Sequence, residues 1–436
     1  MPETIALPAA GPSCAPPRRS LLSALTLDVT PLRESRPYRS LYLGQFIAGF
    51  GVSLSYVTLP WQMYHITGST LKVGLLGVAE FVPMLLCAFA GGTLADTIDR
   101  RKLVMAAQAG LVLCAAALLF NSCLAEPRVW LLFAIASLTA GLNALHRPAL
   151  EAITPRLVED HHLPAVSALS TLGHNFNFIV GPAIAGLIAT GWGPAWSYGI
   201  NASCYLVAIV TLLTITTPAR QASGHRPGLT SILEGLRYAK SRQELLGTYF
   251  IDIAAMFFGM PIALFPAIAV SFGGASVGLF YTMMAVGPII ATLSSGWMSR
   301  CHKHGLAITA AVGVWGIAII GFGLSRHLAG ALAFLALAGA ADCVSGLFRM
   351  TLWNQTIPDR VRGRLAGIEM ISYMSGPYLG NAESGLVAAW RGLRFSVVSG
   401  GVLCLVSAGL VALALPGFRH YDSRERLKVR EAADAA

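Results

Sequence analysis

Glu80, Asp252, Asp342, Glu369 and Glu383 interrupt otherwise apolar runs, and Arg147 and Arg349 do the same. A charged side chain at mid-membrane costs at least ~2.5–3.5 kcal/mol on insertion scales, so its presence suggests a task. A carboxyl can take up and release a proton, or accept a hydrogen bond from a bound molecule. A guanidinium stays charged and only donates. The chemistry on offer is proton carriage and polar recognition. Asp252, in "YFIDIAAMFFGMPIALFPAIA", is a candidate proton carrier, or else half of a neutral pair with Arg349 or another base. Glu80 suits proton coupling or cargo binding. Asp342 precedes Arg349 by seven residues, two helical turns, and lines a cavity or satisfies a neighbouring helix. Arg147, between His146 and Pro148, snorkels to the surface if its helix ends near Pro155. Glu369 and Glu383 read more simply as structural partners.

These residues need helices to hold them. Of the 436 residues, 55% are hydrophobic and only 12% charged, about half the charge of a soluble domain. Apolar runs fall at 41–66, 73–95, 103–124, 129–152, 164–190 and 195–217, then at 247–271, 276–299, 306–326, 329–353, 364–388 and 393–416. Each approaches the roughly 20 residues that cross a bilayer. The expected fold is an all-α polytopic membrane protein of twelve transmembrane helices in two pseudo-symmetric six-helix bundles. The expected organisation is an arm over 1–40, a first bundle over 41–217, a linker over 218–246, a second bundle over 247–416 and a tail over 417–436. Within the linker, Leu229, Ile232, Leu233 and Leu236 follow helical spacing, which suits an amphipathic surface helix or a solvated linker helix alike.

The net charge of +10 raises the question of nucleic acid. Its placement answers it: 24 of the 31 Lys and Arg fall on one side of the alternating loops. That asymmetry puts both termini in the cytoplasm of a multi-pass inner-membrane protein. It accounts for the basic balance without a nucleic-acid partner. No H-E-x-x-H, G-x-x-x-x-G-K-[ST] or G-x-S-x-G occurs, so neither an enzyme nor an ATP-driven pump is expected. No metal or cofactor is expected either. His161, His162, His302 and His304 read as surface residues. The cysteines, with no C-x-x-C pair, read as small packing residues.

"GGTLADTIDRRK" at 91–102 gathers charge between the second and third runs. It resembles the signature of the major facilitator superfamily, G-x-L-A-D-R-x-G-R-K/R, through Gly92, Leu94, Ala95, Asp96, Arg100 and Arg101. Thr97 and Asp99 depart from it. The resemblance implies a gate: Asp96 docks at the start of the eleventh helix in one state, and the motif arginine pairs with an acid on the fourth, here Glu151. "GPAIAG" at 181–186, with Gly181, Pro182 and Gly186, resembles the antiporter motif of the same superfamily and implies export by proton exchange, and Arg147 resembles the basic position on the fourth helix of its proton-coupled exporters, which implies a coupling role. Its counterpart "GPYLG" at 376–380 points to duplicated halves with a cavity between them. The series "TPRLV", "WGPAWSYGINA" and "NQTIPDRVRGRLAGI" is similar to the enterobactin-exporter branch of that superfamily.

The resemblance implies efflux, driven by protons, of a small molecule: a siderophore of the enterobactin type, or alternatively a macrolide or other drug. It also implies a monomer in the bilayer. Aromatic residues Phe46, Phe50, Tyr56, Trp61, Tyr64, Phe257, Phe258, Phe265, Tyr373 and Tyr378 are candidates for a wall that suits planar cargo. His174, Asn175 and Asn177 add polar atoms ahead of the Gly-Pro step, but helical spacing cannot put all of them on one face.

Overall fold

The structure is a computed structural model, described here over residues 28–97, 100–215, 237–274, 277–357 and 359–424. The linker helix expected around 229–236 lies outside the described residues. The helices that cross the apolar layer are α1 Arg36–Thr67, α2 Thr70–Thr97, α3 Arg100–Ser122, α4 Val129–Ile153, α5 Leu163–Gly191 and α6 Pro194–Leu213. They continue as α7 Gln243–Gly259, α8 Val277–Leu293, α9 His304–Leu324, α10 Leu328–Thr356, α11 Asp359–Arg391 and α12 Leu393–Ala414. With an even number of crossings, the first and last described residues lie at the same end, as do the basic loops. We call this the basic end.

Several boundaries differ from the apolar runs. Helix α2 carries Asp96 in its last turn, since "GGTLADT" contains no proline and the helix continues through its glycines. Helix α8 stops at Leu293 and gives way to a tight 3₁₀ segment, Ser295–Arg300. Helix α7 breaks after Gly259, where Pro261 removes a backbone donor; the span resumes as Phe265–Ser271. Asn381 of α11 receives the Ala263 N–H at 3.1 Å, so a side chain satisfies part of the opened backbone.

The two halves are related by more than helix count. Helices α2 and α11 pack along their lengths, and so do α5 and α8. If α1–α6 is laid on α7–α12, these two interfaces exchange, as a two-fold axis through the bundle requires. The turns agree as well. Gly193 opens α6 at φ 94°, ψ 161° and Gly392 opens α12 at φ 91°, ψ 162°. Few residues other than glycine adopt that backbone.

The chain after α12 is more than a tail. Pro416–Arg419 forms a short helix whose Phe418 is fully buried, seated against Gly247 of α7 and Gly305 of α9. The Gly417 N–H donates to Gln243 Oε1 at 2.9 Å, and the Ser423 N–H donates to the His302 carbonyl at 3.0 Å. Tyr421 donates to Gln355 Oε1 at 3.1 Å and accepts from Thr356 Oγ1 at 3.4 Å. This strap ties α7, α9 and α10 together at the basic end. Replacing Tyr421 by phenylalanine should therefore lower stability by about 1–2 kcal/mol. Thermal unfolding in detergent would show it, with transport per molecule unchanged.

Two histidines read as surface residues are in fact enclosed. His162 is buried and its Nε2 lies 2.9 Å from Glu34 Oε2. His304 is buried between the rings of Phe348 and Tyr421. Strap and arm cover them, and hydropathy carries no signal for such long-range cover.

Candidate functional site

A cavity lies between the halves, in adjoining lobes of about 470 and 430 Å³. Tyr56 of α1 and Tyr373 of α11 line both lobes and mark where they meet. The first lobe belongs mainly to the first half and holds Glu80, Arg147 and Glu151. The second belongs mainly to the second half and holds Asp342, with His174 and Asn175 reaching in from α5. Tyr56 meets Tyr281 of α8 edge-to-face at 5.4 Å, so aromatic contact crosses the boundary between halves.

One end of this cavity is shut. At the end opposite the basic loops, Gly74 of α2 lies against Gly385 of α11, and Thr70 Oγ1 donates to the Gly385 carbonyl at 3.2 Å. Beside them, Gly186 of α5 meets the backbone of Gly278 of α8. Thr282 Oγ1 of α8 donates to the Ile179 carbonyl of α5 at 3.0 Å. Only glycine lets backbones come this close. Towards the basic end the walls part. Arg147 and Glu151 have side chains 68% and 67% exposed, and Leu293, the last residue of α8, is 84% exposed while lining the second lobe.

The acids divide into matched and unmatched. Arg349 of α10 contacts the Asp252 carboxylate of α7 directly, and both side chains are buried. Its other terminal nitrogen stands 3.7 Å from Asp342 Oδ1, beyond ordinary hydrogen-bond reach. Asp342 and Arg349 share a face of α10, two turns apart. Asp252 is paired with Arg349 in this conformation. At the basic end, Arg147 Nε donates to Glu151 Oε1 at 3.0 Å along α4, an ordinary i, i+4 pair. Glu80 and Asp342 face the cavity, and Glu80 forms no ion pair with any described residue.

Among the described residues, Glu151 meets Arg147 of its own helix. Arg101 instead donates from Nη2 to the Leu213 carbonyl at the end of α6, 2.9 Å away. That fastens the start of α3 to an orphan carbonyl of a helix C-terminus. Gly92, Asp96 and Arg100 lie on α2 and α3, and their side-chain surroundings fall outside the described residues. The α5 motif, by contrast, is fully placed. Gly181 packs on Ser53 of α1, the Pro182 carbonyl faces Gly278 of α8, and Gly186 faces Gly278 too. The motif makes α5 slender on two sides, so that it fits between α1 and α8.

Of the polar residues ahead of that motif, His174 and Asn175 line the cavity. Asn177 turns to α1 and donates from Nδ2 to the Phe46 carbonyl at 2.9 Å. Among the aromatic candidates, Tyr56, Tyr373 and Tyr378 line the cavity, whereas Phe265 is sealed in the core of the second half. Sequence reasoning missed Tyr281 and Trp315, which both line the second lobe. Each sits in a uniformly apolar helix, so no local contrast marked the side facing the cavity. The one available signal was the duplication, since α8 occupies in the second half the place that α2 and Glu80 hold in the first.

Twelve crossing helices in duplicated halves, with a polar cavity at their seam, define a membrane transporter of the major facilitator fold. The family model for transmembrane secretion effectors matches residues 26–434, and the chain belongs to that family. It is 26% identical over 397 residues to the enterobactin exporter of Escherichia coli K12, covering 91% of this chain and 95% of that one. To the enterobactin exporter of Citrobacter koseri it is 27% identical over 395 residues, covering 90% and 94%. Among solved structures, a bacterial homologue of the human lysosomal transporter Spinster, inward-facing and unoccupied, superposes with a TM-score of 0.70 at 16% identity over 90% of this chain and 98% of that one. A bacterial homologue of the iron transporter ferroportin, inward-facing, gives 0.69 at 14% identity over 86% and 98%.

Proposed function

We propose that this protein exports a small aromatic molecule of the catechol siderophore class across the inner membrane in exchange for protons. Both termini lie in the cytoplasm in this reading, and one chain suffices. The observation that carries it is a cavity between the halves, shut at one end, open at the other, with carboxylates on its wall. The concentration of Lys and Arg in the loops of the open end supports a cytoplasmic position for that end. The conformation is then inward-open and ready to load. Export requires the halves to rock until the α2–α11 and α5–α8 seams part and the basic end shuts. Cargo leaves outward, and protons taken up outside on Glu80 and Asp342 return with the cavity. The aromatic walls suit a planar ring, and the resemblance to enterobactin exporters supports the catechol class.

The test is the catechol content of the culture medium when the chain is expressed in a siderophore-producing host lacking its own exporters. Restored secretion is expected; retention inside the cells at full membrane abundance would contradict the reading. A second reading, multidrug efflux by the same engine, is favoured by acids set beside tyrosines, which also suits lipophilic cations. It predicts resistance to several unrelated cationic compounds in place of secretion.

The motif at 91–102 is the gate of the basic end in this account. Asp96→Asn should cut export at least about tenfold, the loss of roughly one charge-assisted hydrogen bond at the gate. Immunoblots should show unchanged abundance. A matching fall in abundance would make Asp96 a folding residue.

A further inference from the structure

The charges on the cavity wall do not balance. Arg147 is matched by Glu151 at 3.0 Å, and Arg349 is committed to Asp252. Glu80 in the first lobe has no ion pair among the described residues, and Asp342 in the second has only the 3.7 Å approach of Arg349, whose closer contact is to Asp252. Among the described residues that line the lobes, His174 is the one imidazole. An ionised carboxylate only accepts hydrogen bonds, so whatever occupies these lobes must bring donors. The second lobe also offers a donor. Tyr281 lines it, is only 4% exposed, and its hydroxyl has no hydrogen-bond partner among the described residues. Asp342 and Tyr281 together therefore suit a group that both donates and accepts.

We propose that the cavity takes its cargo as an uncharged catechol, whose phenolic hydroxyls donate to Glu80 and Asp342, and turns away the metal chelate of the same molecule. The proposal rests on the catechol reading of the cargo given above. A phenolic hydroxyl donates its proton to the carboxylate while its oxygen accepts from Tyr281. Tyr56, Tyr373 and Tyr378 bring rings close enough to flank the catechol. A metal ion changes the ligand's polarity completely. Oxygen ligands of this kind bind a metal after losing their protons. The chelated catechol is then an anion without donors, and it meets two acids that repel it at close range. The same two side chains that hold the free molecule thus exclude the loaded one. An exporter built this way does not drain captured metal from the cell.

The experiment measures binding to the purified full-length protein in lipid nanodiscs by calorimetry. The probes are 2,3-dihydroxybenzamide, its dimethyl ether, and its tris chelate with gallium(III). The free catechol should bind at least about tenfold tighter than either of the others, as the loss of one or more hydrogen bonds to a charged group implies. Glu80→Gln and Asp342→Asn should each bring the chelate about tenfold closer to the free ligand, since the repelling charge is gone. Equal binding of free catechol and chelate would overturn the proposal and leave the catechol reading intact. So would discrimination that survives both substitutions. Absence of any catechol binding, alongside binding of tetraphenylphosphonium that depends on Glu80, would overturn both.

Discussion

Replacing Arg349 by leucine should sharply deplete the protein from the membrane, and replacing Asp252 by leucine as well should bring much of it back. In the wild type the two side chains touch, buried between α7 and α10. Removing one partner leaves a charge stranded in a low-dielectric interior, at a cost of about 3–5 kcal/mol. That is a large share of the roughly 5–15 kcal/mol that holds a typical domain together. Removing both leaves apolar surface in an apolar setting, which is commonly neutral. Immunoblots and thermal unfolding of the single and double variants would measure the coupling. Simple additivity of the two losses would contradict the pairing. The account also expects the double variant to regain abundance without regaining exchange, because Arg349 orients Asp342 across 3.7 Å as well.

The second large effect is conformational. Gly186→Leu should disfavour the form described here, shut at the α5–α8 seam, by about 1–3 kcal/mol of overpacking, a shift of roughly 5- to 150-fold in population. Any side chain at this position would run into the backbone of Gly278. Helices α5 and α8 would have to separate at the closed end, and the fold can do that by moving towards the opposite state. Spin labels at Lys72 and Arg391, on the closed-end termini of α2 and α11, would report a longer distance, with transport falling at least about tenfold. An unchanged distance together with wild-type transport would remove this seam from the mechanism.

Much of this architecture is legible in the sequence, and the reasons are physical. A bilayer imposes a minimum length of apolar chain, so the crossings announce themselves even where their ends shift by several residues, as in α1, which begins at Arg36. Charges in such runs stand out because they are costly there. Glu80, Asp342, Arg147 and Arg349 were visible for that reason, and each lies at the cavity or directly behind its wall. What they face is a different matter. Asp252 could be a carrier or half of a pair, and only the packing of α7 against α10 separates the two. Glu151 was linked to the motif arginine by resemblance, yet its neighbour one turn earlier on α4 claims it in this conformation. Tyr281 and Trp315 were invisible because an apolar helix has no polar face to orient it; the partner helices decide which side becomes the wall. In the sequence the strap at Phe418 looks like a plain tail, since two aromatics in a polar stretch carry no period. Its site is made by Gly247 and Gly305, far away in the chain.

The most direct test of the central claim, exchange of cargo for protons through this cavity, uses everted vesicles from a host lacking its own exporters. Respiration acidifies the vesicle interior, and a pH-sensitive dye follows it while 2,3-dihydroxybenzamide is added outside, at the cytoplasmic face. The account predicts that the catechol enters as protons leave, so the interior becomes less acidic, and that Glu80→Gln abolishes the response. Uptake of the catechol with no change in interior pH would contradict it.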